Sequence, residues 1–243
     1  MAIRQYPVII TVRDRLSCLL QLLQWLEQIG QNDIWLCDNG STFPPLVEFL
    51  KTTKHHVVFN NFNLGHRAPW LSGLVPQLGN DKYFIISDPD VVPDENVSSN
   101  ALEIFEFMLH SNPNIDKVGF SLRIDDLPDH FIHKADVITW ETQFWQEIYS
   151  PGYFKAPIDT TFAMYRPGNG HQNGNSLRSA PPLTARHIPW YQDSSNLSEE
   201  DTYYIKNSDH LITNWNTDKL PATVRVQLAN LRAKHTSTET NYP

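Results

Sequence analysis

The chain has 243 residues, 40% of them hydrophobic and 12% aromatic, enough to bury a sizeable core and to exclude wholesale disorder. A formal net charge of −8, with a pI of about 5.6, argues against a general nucleic-acid binder, which needs a basic face. No apolar run approaches the roughly 18 residues that span a bilayer, and the N-terminus enters a strand-like run without a signal-peptide pattern, so a cytoplasmic location is expected.

Val8 to Val12 is a β-branched run of the length of a buried parallel strand. Leu16, Leu19, Leu20, Leu23, Leu26 and Ile29 then recur at helical spacing, and Gly30 supplies a stop. Ile34 to Cys37 predicts a second strand, closed by the turn Asp38-Asn39-Gly40-Ser41. Residues 44–53 suit a short helix with prolines in its first turn, and His56 to Phe59 a third strand. A helix over 68–78 is expected to break near Pro76, and Tyr83 to Ser87 forms a fourth strand. Residues 98–111 predict a further helix and Lys117 to Leu122 a fifth strand. Beyond residue 125 the periodicity is less regular: 160–166 reads as a strand, 166–176 as a Gly/Asn-rich loop, 220–235 as a helix with a basic face, and 236–243 as a frayed tail. Cys18 and Cys37 read as buried free thiols.

This alternation predicts a single α/β domain, a mostly parallel Rossmann-like sheet flanked by helices with right-handed crossovers. In such a sheet ligands bind beyond the carboxyl ends of the strands. The residues expected on that rim are Thr11, Arg13, Asp14 and Arg15; Asp38 to Ser41; Asn61, Asn63, Gly65, His66 and Arg67; and Ser87, Asp88 and Asp90. They offer a carboxylate for a base or ribose, guanidiniums for phosphate and a carboxylate pair for a metal. Asp88 and Asp90 are two residues apart, so on an extended chain they face the same way and repel, and a cation is expected between them. Pro89 stiffens the chain between them. Arg13 and Arg15 open a helix, where its dipole disfavours positive charge, so an anion is expected nearby.

The stretches PVIITVRDR, WLCDNGST, NFNLGHRAPWLSGL and YFIISDPDVVP, in this order over residues 6 to 95, resemble the nucleotide-sugar half of GT-A-fold glycosyltransferases of the family 2 type, with its D-x-D motif. The resemblance implies a nucleotide pocket lined by Thr11 and Arg13 and a base or ribose contact from Asp38. It implies a diphosphate and sugar border from Asn63, Gly65 and Arg67, and a ribose and divalent-metal site at Asp88 and Asp90. The expected cofactor is Mn²⁺ or Mg²⁺, a hard cation suited to carboxylate and phosphate oxygens, and the expected donor is a nucleoside diphosphate sugar, most readily a UDP-sugar. The implied organisation is a nucleotide-sugar half over 1–125, an acceptor-binding and catalytic half of the same domain over 126–220, and a C-terminal helix and tail over 221–243. The expected partners are a saccharide acceptor and the donor.

For the second half, Glu200, within Glu199-Glu200-Asp201, is a candidate base because inverting members carry such acidic pairs; it equally suits a helix N-terminus capped by Ser198. Asp159, placed before a hydrophobic strand, is the rival base or sugar ligand. His187 is the candidate third metal ligand, set against packing beside Pro189 and Trp190, with His171 and His210 as alternatives. Trp140, Trp145, Trp190 and Tyr191 are candidates for stacking on sugar rings, although most of them are expected to be core aromatics. Two rival functions stand beside the transferase. One is a catalytically degenerate sugar-nucleotide or glycan-binding module. The other is a haloacid-dehalogenase-like phosphatase with Asp88 as nucleophile, although that motif normally opens its domain, and here three strand–helix units precede it.

Overall fold

The structure, a computed structural model, describes residues 3–168, 174–208, 215–217 and 220–239, with backbone only for 235–239. Its first half follows the expected alternation: β1 (Val8–Val12), α1 (Leu16–Gln28), β2 (Ile34–Asp38), α2 (Pro44–Thr52) and β3 (His56–Phe59). A 3₁₀ turn at Gly65–Arg67 leads into α3 (Ala68–Leu71) and α4 (Leu74–Leu78), and β4 (Phe84–Ser87) follows. The break between α3 and α4 is at Gly73, whose φ of +86° an L side chain rarely adopts, and not at Pro76. Pro76 sits in the first turn of α4, where a missing N–H costs nothing.

The chain continues with β5 (Val91–Pro93), α5 (Ala101–Ser111), β6 (Lys117–Leu122), α6 (Lys134–Thr142), β7 (Ile148–Ser150), β8 (Tyr153–Lys155), β9 (Ala163–Tyr165), β10 (Ser176–His187), α7 (Glu199–Asn207) and α8 (Ala222–Glu239). The 12-residue β10 has no clean alternation in sequence, because Pro181 and Pro182 fall where its pairing with β6 slips between Ser179 and Thr184. The terminal helix runs to Glu239, further than the expected end at residue 235.

One sheet runs through both halves in the order β3-β2-β1-β4-β9-β6-β10-β8-β7, with β5 paired to β10. β3, β2, β1 and β4 are mutually parallel. β9 is antiparallel to both β4 and β6, so β6 and its parallel partner β10 regain the direction of β1. Helices cover both faces: Val8, Ile10 and Val12 join the core cluster that contains α1, while Ile9 joins the one that contains Leu74 and Val75 of α4. Cys18 and Cys37 are free and buried. Among the described residues no helix is long and apolar enough to cross a membrane.

Gly119 lies where β9 crosses closest to β6. A Cβ there would stand 2.3 Å from the Phe162 carbonyl oxygen and 2.8 Å from the Ala163 Cβ, and neither belongs to a flexible side chain. Gly119→Ala is therefore expected to destabilise the fold by about 1–3 kcal/mol through overpacking, measured by denaturant unfolding. Unchanged stability would mean that β9 is not seated against β6 at this point.

Candidate functional site

Strand direction decides which groups meet. The carboxyl ends of β1, β2, β3 and β4 lie on one rim, and the same geometry brings the carboxyl end of β10, at His187, to it. Antiparallel β5 and β9 start on this rim, so Asp90 before β5 and Asp159 and Thr160 before β9 are delivered there too. Val91 pairs with His187, and the Ile188 N–H donates to the Asp90 carbonyl at 2.9 Å.

Asp88 and Asp90 do not continue an extended strand; the chain turns at Pro89 and Asp90, which parts their carboxylates toward different neighbours. Asp88 Oδ2 accepts a 2.9 Å hydrogen bond from Thr160 Oγ1. Asp90 Oδ2 lies 3.6 Å from His187 Nε2 and 3.7 Å from Arg15 Nε. Burial, then the charges of Asp90 and Asp159, push the Asp88 carboxyl well above the usual carboxylate range, with the Thr160 bond opposing. Burial holds His187 below its ordinary value, so its imidazole is neutral near pH 7, the form that can ligate a metal. The ring is also tilted against Trp190 at 4.7 Å, so it packs and faces Asp90 at once. Among the described residues, His187 Nδ1 and Thr11 Oγ1 are buried without a hydrogen-bond partner. His171 and His210 lie outside the described residues.

Both arginines at the start of α1 have anionic or carbonyl partners within the fold. Arg13 Nη1 donates to the Asn39 and Gly40 carbonyls at 2.7 and 3.3 Å, tying the β1 loop to the β2 turn. Arg15 is buried between Asp90 and Asp201, 3.6 Å from the latter, and lies over the Tyr204 ring at 4.0 Å. These carboxylates are the anions that its place at a helix start called for, and Arg15 is the protein's own cation beside Asp90. Arg15 is therefore not an open phosphate ligand as it stands, whereas Arg13 is half-buried and held through Nη1.

Glu200 is engaged at the start of α1. Its carboxylate accepts from Leu16 N (2.9 Å), Ser17 N (3.1 Å) and Ser17 Oγ (2.6 Å), so it caps α1 from α7 and is occupied. Asp159, by contrast, is exposed, yet near enough to Asp88 for its charge to be felt there. Asp38 is buried, and its Oδ1 accepts from Ser41 N at 3.1 Å to hold the turn. Asn63 Oδ1 accepts from Gly65 N at 2.9 Å, and Arg67 is exposed on the following 3₁₀ turn.

Three further residues organise this rim. Asn39 joins the second and third strand ends, donating to Asn63 Oδ1 (2.7 Å) and Gly65 O (3.1 Å) and accepting from Leu64 N (2.7 Å). Asp14, held at φ 49°, turns a buried carboxylate to the Thr42 and Phe43 N–H groups at 2.6 and 2.7 Å, next to the start of α2. Thr160 bonds Asp88 as described above. A polar residue beside a candidate acid was the only signal for it. Trp190 and Trp140 pack internally, as does Trp145 on Phe154, and the Tyr191 hydroxyl donates to Asp126 at 2.6 Å. An open groove of about 580 Å³ is lined by Leu16, Phe43, Gln192, Asn196, Glu199 and Asp201, and Asp201 connects its wall to Asp90 through Arg15.

The group implied for this rim is a divalent cation. Among the described residues no three His, Cys, Asp or Glu side chains already converge as a cation cage. The chemistry of the donors would nonetheless suit one: Asp88, which feels the charges of Asp90 and Asp159, and Asp90, whose Oδ2 lies 3.6 Å from Nε2 of the neutral His187.

No family model matches the chain, and no curated protein matches it in sequence. Solved structures do match it in shape. A glucosyl-3-phosphoglycerate synthase from Mycobacterium tuberculosis, in complex with Mn²⁺, UDP and glucosyl-3-phosphoglycerate, aligns with 67% of this chain at 14% identity and a TM-score of 0.41, and the chain spans 57% of its length. The mannosyltransferase PcManGT from Pyrobaculum calidifontis, in complex with GDP-Man and Mn²⁺, aligns with 99% of this chain and 76% of its own at a TM-score of 0.51. At 12% identity that second match is one of architecture: the chain has the GT-A-type α/β fold that its strand-end motifs imply.

Proposed function

We propose that the protein is a divalent-metal-dependent glycosyltransferase that moves a sugar from a nucleoside diphosphate donor, a UDP-sugar in the first instance, to a hydroxyl of a glycan acceptor. The observation that carries this reading is the gathering of Asp88, Asp90, Asp159 and His187 on the rim that also holds Thr11, Asp38 and Asn63. The fold shared with a mannosyltransferase supports it. Asp88 is driven toward protonation by burial and then by the charges of Asp90 and Asp159, and of the three Arg15 reaches only Asp90, so a second cation at the Asp88 end would relieve the set.

In this reading Asp88, Asp90 and His187 would hold the metal, which when bound would supply positive charge for the leaving diphosphate. Thr11, Arg13, Asp38 and the Asn63–Arg67 turn form the nucleotide and diphosphate pocket. The bond from the anomeric carbon to the β-phosphate oxygen breaks, and the nucleoside diphosphate leaves with the electron pair. The acceptor oxygen bonds to the anomeric carbon, and its proton passes to Asp159, an exposed carboxylate whose charge reaches Asp88. Glu200 keeps α1 in place, and the groove beside Asp201 receives the acceptor.

UDP- and GDP-sugars, each titrated by calorimetry with and without Mn²⁺ and followed for nucleoside diphosphate release, test the reading. Binding and slow release that both require metal are expected. Metal-independent binding without turnover would replace the transferase with a binding module. Phosphate release from simple monoesters would favour the phosphatase, a reading that β4 disfavours because it lies beside β1 with three strands before it.

A further inference from the structure

Residues 156–160, between β8 and β9, are neither helix nor strand, yet they are not left to solvent. Three consecutive carbonyls are each taken by a buried side chain from the sheet: Ala156 O by Ser176 Oγ at 2.7 Å, Pro157 O by Arg178 Nε at 2.9 Å, and Ile158 O by Lys117 Nζ at 2.5 Å. The three donors are only 3–4% exposed. Burying two cations is costly, and a loop needing nothing more than satisfied carbonyls would leave them to water. The next two residues explain the arrangement: Asp159 stands exposed at the rim, and Thr160, 4% exposed, donates to Asp88 Oδ2.

We infer that residues 156–160 form a rigid arm, clamped by Lys117, Ser176 and Arg178, that fixes the orientation of the Asp88 carboxylate through the Thr160 hydroxyl. The inference rests on the transferase reading, in which Asp88 is a metal ligand, and makes Thr160 a positioning residue for that ligand. A hydroxyl on a flexible loop would follow the carboxylate; one on a clamped arm holds it. Burial lowers the Lys117 ammonium and the charge of Asp159 opposes the shift, so the clamp and the exposed acid at the arm's end lie within electrostatic reach of each other.

The test is the affinity for Mn²⁺, read from the electron paramagnetic resonance of the free ion with UDP or GDP present, together with thermal unfolding. Thr160→Val is expected to weaken Mn²⁺ binding about tenfold or more, the usual effect of removing a hydrogen bond to a metal ligand, and Thr160→Ser to stay within about twofold of the parent protein. If Thr160→Val does not fold, Thr160→Ala makes the same comparison. A melting point that falls while Mn²⁺ affinity stays unchanged would reduce Thr160 to a packing role and overturn the inference. If the parent protein takes up no Mn²⁺ with either nucleotide, the transferase reading fails and this inference falls with it. Tight binding by the parent and by Thr160→Val alike sinks the inference alone.

Discussion

Asp90→Asn is expected to abolish metal-dependent donor binding and to lower transfer about a thousandfold, equivalent to about 4 kcal/mol of transition-state stabilisation. The substitution keeps size and shape but removes the charge that faces both His187 at 3.6 Å and Arg15 at 3.7 Å. Without it, a cation at this position would lose the anionic charge that draws it there. The fold should survive, because Arg15 keeps Asp201 at 3.6 Å and the Tyr204 ring at 4.0 Å. Transfer, Mn²⁺ affinity and melting temperature should therefore separate: the first two collapse and the third stays within a few degrees. Transfer at the parent rate, with or without metal, would end the proposal that this carboxylate holds a cation.

The part of the molecule legible in the sequence is the part whose pattern is local. β1, β2 and β4 are short apolar runs between turn residues because they are buried on both faces, and α1 shows its buried stripe directly. Once those strands are parallel, their carboxyl ends must share a rim, so the gathering of Thr11, Asp38, Asn63 and Asp88 follows from topology. What was not legible depends on partners far along the chain. Glu200 has the spacing of a catalytic acid and of a helix-start residue alike; only contacts to residues 183 and 184 positions away make it the cap of α1. Arg15 looked like a solvent-facing or phosphate-binding cation because Asp90 and Asp201 reach it from two other elements. β10 was hidden by Pro181 and Pro182 and by the buried polar residues Arg178 and Ser179, which erase the alternation a strand normally shows. Its role in bringing His187 to the rim was therefore foreseen in the residue but not in the strand.

Arg178 carries the largest expected effect on stability. It pairs with Glu141 at 3.0 Å, with side chains 4% and 5% exposed, lies over the Phe144 ring at 4.1 Å, and holds the Pro157 carbonyl. Such a pair contributes little over two apolar residues of equal size, but removing one member strands the other's charge. Arg178→Leu is expected to cost about 3–5 kcal/mol and to lower the melting temperature by about 10 °C. Burial already raises the Glu141 carboxyl above its ordinary value while Arg178 opposes the rise, so in the variant the folded-state value climbs further. A raised carboxylate favours the folded state less as pH increases, since the unfolded chain gives up its proton first. The deficit against the parent protein should therefore be smaller at pH 5 than at pH 8. Arg178→Leu combined with Glu141→Leu should recover much of the loss, short of the hydrogen bond to Pro157. Equal destabilisation in the single and double variants, with no pH dependence between them, would show that packing on Phe144 and the bond to Pro157, and not the stranded carboxylate, account for the effect.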